Sequence, residues 1–225
     1  MTNTPMPNTP MTTAEPRPAA ARPTEVALAD PAPLGLAGFG LTTLILMVID
    51  IGWLNGGATI GVLSIAAAYG GLAQFVAGLW AFRRGNTFSG TAFCSFGAFW
   101  FSYVLFVWFF GAKIGSTNPA VSTLQVANGF VGLFLLSWGI FTAYMAVASL
   151  AAAKTVTVVF VLLAVTFFIL AIGAWGNDAA GAGFTRIGGI VGLLTAIAAL
   201  YTSFADVTNA TWRRVVLPTG SPFVS

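Results

Sequence analysis

From position 34 onward the sequence runs in apolar blocks, each long enough to cross a lipid bilayer. A spanning helix needs about 20 predominantly apolar residues. Six blocks reach that length: 34–54, 58–82, 89–111, 124–150, 155–175 and 184–206. The breaks between them are Asn55-Gly56-Gly57, Arg83-Arg84-Gly85-Asn86, residues 115–119, Lys154 and Gly176-Asn177-Asp178. These are the turn-forming and charged residues that short loops require. The stretch from Leu124 to Trp175 is too long for one crossing, so Lys154 marks a break. Only 7% of the 225 residues are charged, against about a quarter in a soluble domain. The expected fold class is an all-α integral membrane protein with six transmembrane helices, occupying residues 30–212.

The ends differ from this middle. Residues 1–29 hold six prolines, many Thr and Ala, and no Gly. Such a segment cannot bury a core and is expected to be a disordered tail. It lacks the cationic start and apolar centre of a secretion signal. Residues 213–225 are expected to be a second tail. With six spans, the side that carries both termini holds seven Lys and Arg: Arg17, Arg22, Arg83, Arg84, Lys154, Arg213 and Arg214. The other side holds only Lys113 and Arg186. Positive residues stay inside, so both termini are expected in the cytoplasm of a multi-pass cell-membrane protein.

Several functions are disfavoured. The net charge is only +3 and no basic run exceeds two residues, so no nucleic-acid partner is expected. The chain has no His and one cysteine, Cys94. That removes His-based catalysis and His metal sites, and no cofactor or metal is expected. Asp50, Arg186 and Asp206 fall near span ends, and no pair of carboxylates sits inside a span. A buried carboxylate relay and an enzyme are both disfavoured.

The polar groups left inside the spans are uncharged. Gly35, Phe39, Thr42, Thr43, Leu46 and Asp50 recur at three- and four-residue steps and share one face of the first helix. Ala67, Gly71, Gln74 and Gly78 do the same on the second. Thr and Gln on such faces either bond helix to helix or line a narrow path for a small polar solute. Spacing alone favours the first reading.

A resemblance shifts that balance. Residues Asp30 to Phe39, DPAPLGLAGF, resemble the signature that opens the first helix in the acetate uptake transporter family, which includes the succinate–acetate permeases. The family's usual form begins with Asn. Residues Tyr69 to Trp100, with Gln74, the GNTF of Gly85–Phe88 and the TAF of Thr91–Phe93, resemble its second and third helices. Shorter matches are WGIFT from Trp138, LAIG from Leu170 and VLP from Val216.

The resemblance implies six helices around a pore in each protomer, a homohexamer, and uptake of acetate and other small carboxylates, in some members succinate, with protons. It also implies a hydrophobic constriction of a Phe, a Tyr and a Leu. By position these are Phe39, Phe96 and Leu163. Phe96 is a departure, because the family's residue there is Tyr. Thr42, Thr43, Gln74, Asn86 and Thr91 match polar positions near the substrate path. Two alternatives stand beside carboxylate transport: a pore for urea, an amide or ammonia, and a structural membrane protein with no pore.

The opening motif also predicts how the first helix starts. Asp30 fits as N-cap, with Pro31 and Pro33 in the first turn, where a missing N–H orphans nothing. Gly35 then permits close packing.

Overall fold

A computed structural model of the protein describes residues 28–110 and 123–224. Among the described residues all regular structure is helical. Six helices are long and apolar enough to cross a membrane: α1 (Ala32–Asp50), α2 (Thr59–Arg83), α3 (Thr87–Trp108), α4 (Asn128–Ala151), α5 (Lys154–Trp175) and α6 (Gly183–Trp212). A rise of about 1.5 Å per residue makes even the shortest nearly match a hydrocarbon core of about 30 Å. Residues 1–27, Lys113 and the turn expected at 115–119 lie outside the described residues.

The helices close into a ring. Along it, α1 packs on α6, α6 on α5, α5 on α4, α3 on α2 and α2 back on α1. Backbones approach closely at small residues. A Cβ added to Gly78 of α2 would stand 2.5 Å from the Cys94 nitrogen of α3, so only glycine allows that crossing. Between α3 and α4 there is little backbone contact, and aromatic rings bridge the wider space. Phe99 stacks on Phe134 with centroids 5.5 Å apart and meets Trp138 edge-on at 5.3 Å. Tryptophans at helix ends face outward, Trp53, Trp80, Trp175 and Trp212 all being exposed, as membrane-interface anchors are.

The helix boundaries refine the hydropathy reading. Helix α1 spans Ala32–Asp50, starting and ending earlier than the apolar block 34–54. It stops because Gly52 takes φ +90°, which ends a right-handed helix. Its start is shifted by one residue from the expected cap: Pro31 is the N-cap and Pro33 lies in the first turn. The Asp30 carboxylate still accepts the Ala32 N–H at 3.0 Å. Asp30 also pairs with Arg84 at 2.7 Å, tying the start of α1 to the end of α2. Helix α2 contains a π-helical segment, Ala66–Ala73, which shifts the register of its faces in mid-helix. Helix α6 runs six residues past the expected end at 206.

The α4–α5 break falls at Ala152 and Ala153, whose ψ values of 179° and 143° leave the helical region. The segment after α6, expected as a tail, docks there. Arg213 turns the chain at φ +53°. Asn209 then holds the Val216 and Leu217 N–H groups at 2.7 and 3.0 Å. The Thr219 carbonyl accepts the Thr155 N–H at 3.1 Å, and the Leu150 carbonyl accepts the Phe223 N–H at 2.9 Å. The returning chain thus satisfies backbone groups at the start of α5 and near the end of α4, which a helix terminus otherwise leaves open.

Candidate functional site

Two cavities lie inside the ring. The larger, of about 790 Å³, is walled by α1, α3, α4, α5 and the α5–α6 turn. The smaller, of about 270 Å³, lies among the start of α1, the start of α3, the α4–α5 turn and α6. Phe39 and Leu163 face the large cavity. Phe88 and Phe160 face the small one. Phe96 lines neither but contacts both sets, with centroids 5.9 Å from Phe39 and 6.0 Å from Phe160. It also packs on Phe141 at 5.5 Å and Trp138 at 5.9 Å. Phe39, Phe96 and Leu163 are all buried in one apolar cluster. They come from three different helices, so only the closed ring brings them together. None of the three side chains Phe39, Phe96 and Leu163 carries a hydroxyl.

Part of the α1 face expected from spacing is the cavity wall, while Gly35 packs on Phe93 instead. Phe39, Thr43, Leu46 and Asp50 all line the large cavity. The Thr43 Oγ1 is buried and has no hydrogen-bond partner among the described residues. It stands one turn from Phe39, against the barrier. An unpartnered buried hydroxyl costs about 1–3 kcal/mol, a penalty that a solute or water in the cavity would relieve.

The other expected path residues divide. Asn86 caps α3, its Oδ1 accepting the Ser89 N–H at 2.9 Å, and lines the small cavity. Thr42 turns away from both cavities and bonds its own helix, Oγ1 to the Gly38 carbonyl at 2.8 Å. Gln74 is buried at the α1–α2 crossing, where a Cβ on Gly38 would stand 3.5 Å from its own Cβ. Its Oε1 has no partner among the described residues, yet it lines neither cavity. Thr91 is half-buried and also lines neither. Thr42 and Gln74 therefore sit where helix-to-helix packing places such groups.

The charged groups on the walls are all acidic. Asp50 and Asp178 line the large cavity and Asp206 the small one, with no Lys or Arg among the described lining residues. Asp206 was expected near a helix end. Because α6 continues to Trp212, it stands well inside the helix and faces the small cavity. The Asp178 carboxylate accepts the Phe184 N–H at 2.6 Å at the start of α6. At the start of α1, Arg84 is paired with Asp30. Among the described residues no group of His, Cys, Asp and Glu is placed to hold a metal.

Sequence reasoning passed over Phe88, Phe160, Asp178 and the role of Trp100 in the large-cavity wall. Phe160 was within reach, since it stands three residues before Leu163 and shares its helix face. Asp178 was read only as a loop residue.

Comparison with known proteins locates this geometry. The sequence pattern of the GPR1/FUN34/yaaH family matches residues 12–221. The succinate-acetate/proton symporter SatP of Escherichia coli K12 is 38% identical over 193 residues, which are 86% of this chain and 96% of that protein. Acetate permease A of Emericella nidulans is 36% identical over 195 residues, 84% of this chain and 65% of that protein. Ammonia transport outward protein 2 of Saccharomyces cerevisiae is 40% identical over 184 residues, 80% of this chain and 62% of that protein. A solved structure, that of the bacterial acetate channel SatP, superposes with a TM-score of 0.74 at 38% identity, covering 86% of this chain and all of that one.

Proposed function

The chain belongs to the GPR1/FUN34/yaaH family, and from that premise we propose that it conducts acetate and other small carboxylic acids across a membrane along the axis of its helix ring. The observation that carries this reading is the pair of cavities parted by the buried rings of Phe39 and Phe96, with the unpartnered Thr43 hydroxyl beside them. The relatives named for acetate and succinate support it. On this reading Phe39, Phe96 and Leu163 form the constriction. Thr43 and Asn86 face the solute path, while Thr42, Gln74 and Thr91 support it. The protein acts without a catalytic step. It works as a homohexamer in the cell membrane with both termini in the cytoplasm, so the small cavity faces inward.

The proton moves as part of the solute. Taking a carboxylate out of water is far costlier than taking out the neutral acid, and the Phe39, Phe96 and Leu163 side chains offer it no hydrogen bond. The cavity walls reinforce this, since no Lys or Arg among the described lining residues attracts an anion. Labelled-acetate uptake into proteoliposomes tests the proposal. At a fixed concentration of neutral acid the rate should stay level as pH rises, and at fixed total acetate it should fall. Rates that follow anion concentration would overturn the neutral-acid reading. Absence of uptake would overturn acetate conduction.

A second reading has its own support. Acidic walls with no cation also suit ammonia, and one relative is named for ammonia transport. Competition of acetate uptake by ammonium and by urea separates the two.

A further inference from the structure

The barrier between the cavities is built in series. Leu163 and Phe160 lie three residues apart on α5, on one helix face, yet they border different cavities. Leu163 faces the large cavity with Phe39. Phe160 faces the small cavity with Phe88, the two rings 5.2 Å apart. Phe96 lies between, in contact with Phe39 on one side and Phe160 on the other. Phe88 and Phe96 are eight residues apart on α3, so they also share a face. Phe160 is buried like the three constriction residues.

From this stacking we infer that Phe160 is a specificity-determining residue: it forms, with Phe88, a second constriction on the small-cavity side that limits solute size independently of Phe39 and Leu163. The inference rests on the conduction reading above and adds to it a second sieve. Its physical basis is order along the path. A solute that has passed Phe39 and Leu163 still meets the Phe160 ring before it reaches the small cavity. That cavity holds about 270 Å³ against about 790 Å³ on the far side. Opening one layer leaves the other closed, so the two act as filters in succession. The dry stretch is also longer than a single ring of side chains, which raises the barrier to a charged solute.

The test uses the full-length protein in proteoliposomes and reads the ratio of butyrate to acetate flux. Wild-type acetate flux is measured first. Its absence would overturn the carboxylic-acid reading alone, and the ratio is then read on butylurea against urea. Phe160→Ala should raise the ratio about twofold, because the Phe39 and Leu163 layer still filters, and opening both layers should bring it to about tenfold, the scale at which apolar sites discriminate a methylene or two. Adding Phe39→Ala should raise it further than either change alone, because the layers are in series. An assembled Phe160→Ala protein with the wild-type ratio, alongside a Phe39→Ala protein with a raised one, would reduce the barrier to one layer and overturn the inference. Where Phe160→Ala does not assemble, Phe160→Leu and Phe160→Trp carry the test. The ratio should fall in the order Leu, Phe, Trp, and three equal ratios overturn the proposal.

Discussion

The two cavities meet at the same aromatic barrier but are walled by different chemistry. Large rings and aliphatic chains wall the bigger one: Phe99, Trp100, Phe134, Phe167 and Leu170. Small and polar residues contribute more to the other, with Ala32, Ala92, Ala148, Ala151, Ala152, Asn86 and Ser89 beside Phe88, Phe93 and Phe160. The difference follows from helix spacing. Where α3 and α4 stand apart, large rings bridge the gap and leave room between them. Where α1, α3 and the α4–α5 turn converge, more of the lining side chains are small, and the space shrinks. One end is thus wide and strongly apolar, the other narrow and less apolar.

Removing the division is the most drastic way to break this contrast. Phe96 is the one ring that touches both sides, so Phe96→Ala should join the cavities. We expect a rise of tenfold or more in butyrate flux relative to acetate, on the scale set by apolar size discrimination. Truncating such a buried ring also costs about 3–5 kcal/mol, so Phe96→Leu is the companion variant. A butyrate-to-acetate ratio unchanged in both would mean that the rings pack the core and sort nothing.

Deleting residues 213–225 attacks the small cavity alone. The turn that forms its wall, Ala151 and Ala152, is held by backbone bonds from the returning chain at Leu150, Lys154 and Thr155. Such bonds are worth about 1 kcal/mol each. For a chain of this size each 1 kcal/mol shifts Tm by roughly 2–4 °C. The melting temperature should therefore drop by roughly 10 °C. A Tm within a degree of wild type would show that the segment rests on the helices without supporting them.

Thr43→Val sharpens the other side. It removes an unpartnered hydroxyl and keeps the shape. If the solute uses that hydroxyl, acetate flux should fall about fivefold, the loss of one hydrogen bond of roughly 1 kcal/mol. Protein stability should hold or rise. Unchanged flux with raised stability would make Thr43 a packing residue.

The smallest effect is expected from Asp30→Asn, which restores the residue usual in the acetate transporters. The Asp30–Arg84 pair is half exposed, and such pairs contribute about 0–1 kcal/mol. Thermal melting should barely move. Freed from Asp30, Arg84 would offer an unpaired cation beside the small cavity, and competition by the acetate anion should strengthen. No change in anion competition would leave Asp30 as a helix-start residue alone.

Much of the fold was legible in the sequence because a bilayer simplifies the reading. Every backbone polar group in hydrocarbon must be satisfied within its own helix or barrel, so apolar length alone led to six helices. The α1 cavity face was legible in part, since Gly35 and Thr42, expected on it, line neither cavity. A regular helix puts Phe39, Thr43, Leu46 and Asp50 on one side whatever surrounds it. On α2 the same argument did not find a cavity wall. Its π-helical segment shifts register just before Gln74, and packing against Gly38 takes that side chain into a helix crossing. The returning C-terminal chain was not legible, because a stretch rich in Pro and Gly carries no periodic signal. Its order comes from partners such as Asn209 and Leu150.

The sequence by itself determined a six-helix membrane protein, the helix-starting role of its opening motif, and much of the face that α1 turns to the large cavity. These follow from local chemistry: transfer of apolar residues out of water, helix periodicity and the missing N–H of proline. Only the tertiary structure decided that Phe96 stands between Phe39 and Phe160, that Phe160 faces the opposite cavity from Leu163, and that Arg84 is spoken for by Asp30. Those relations join residues on different helices, or divide one helix face between two spaces. They exist only once the ring has closed.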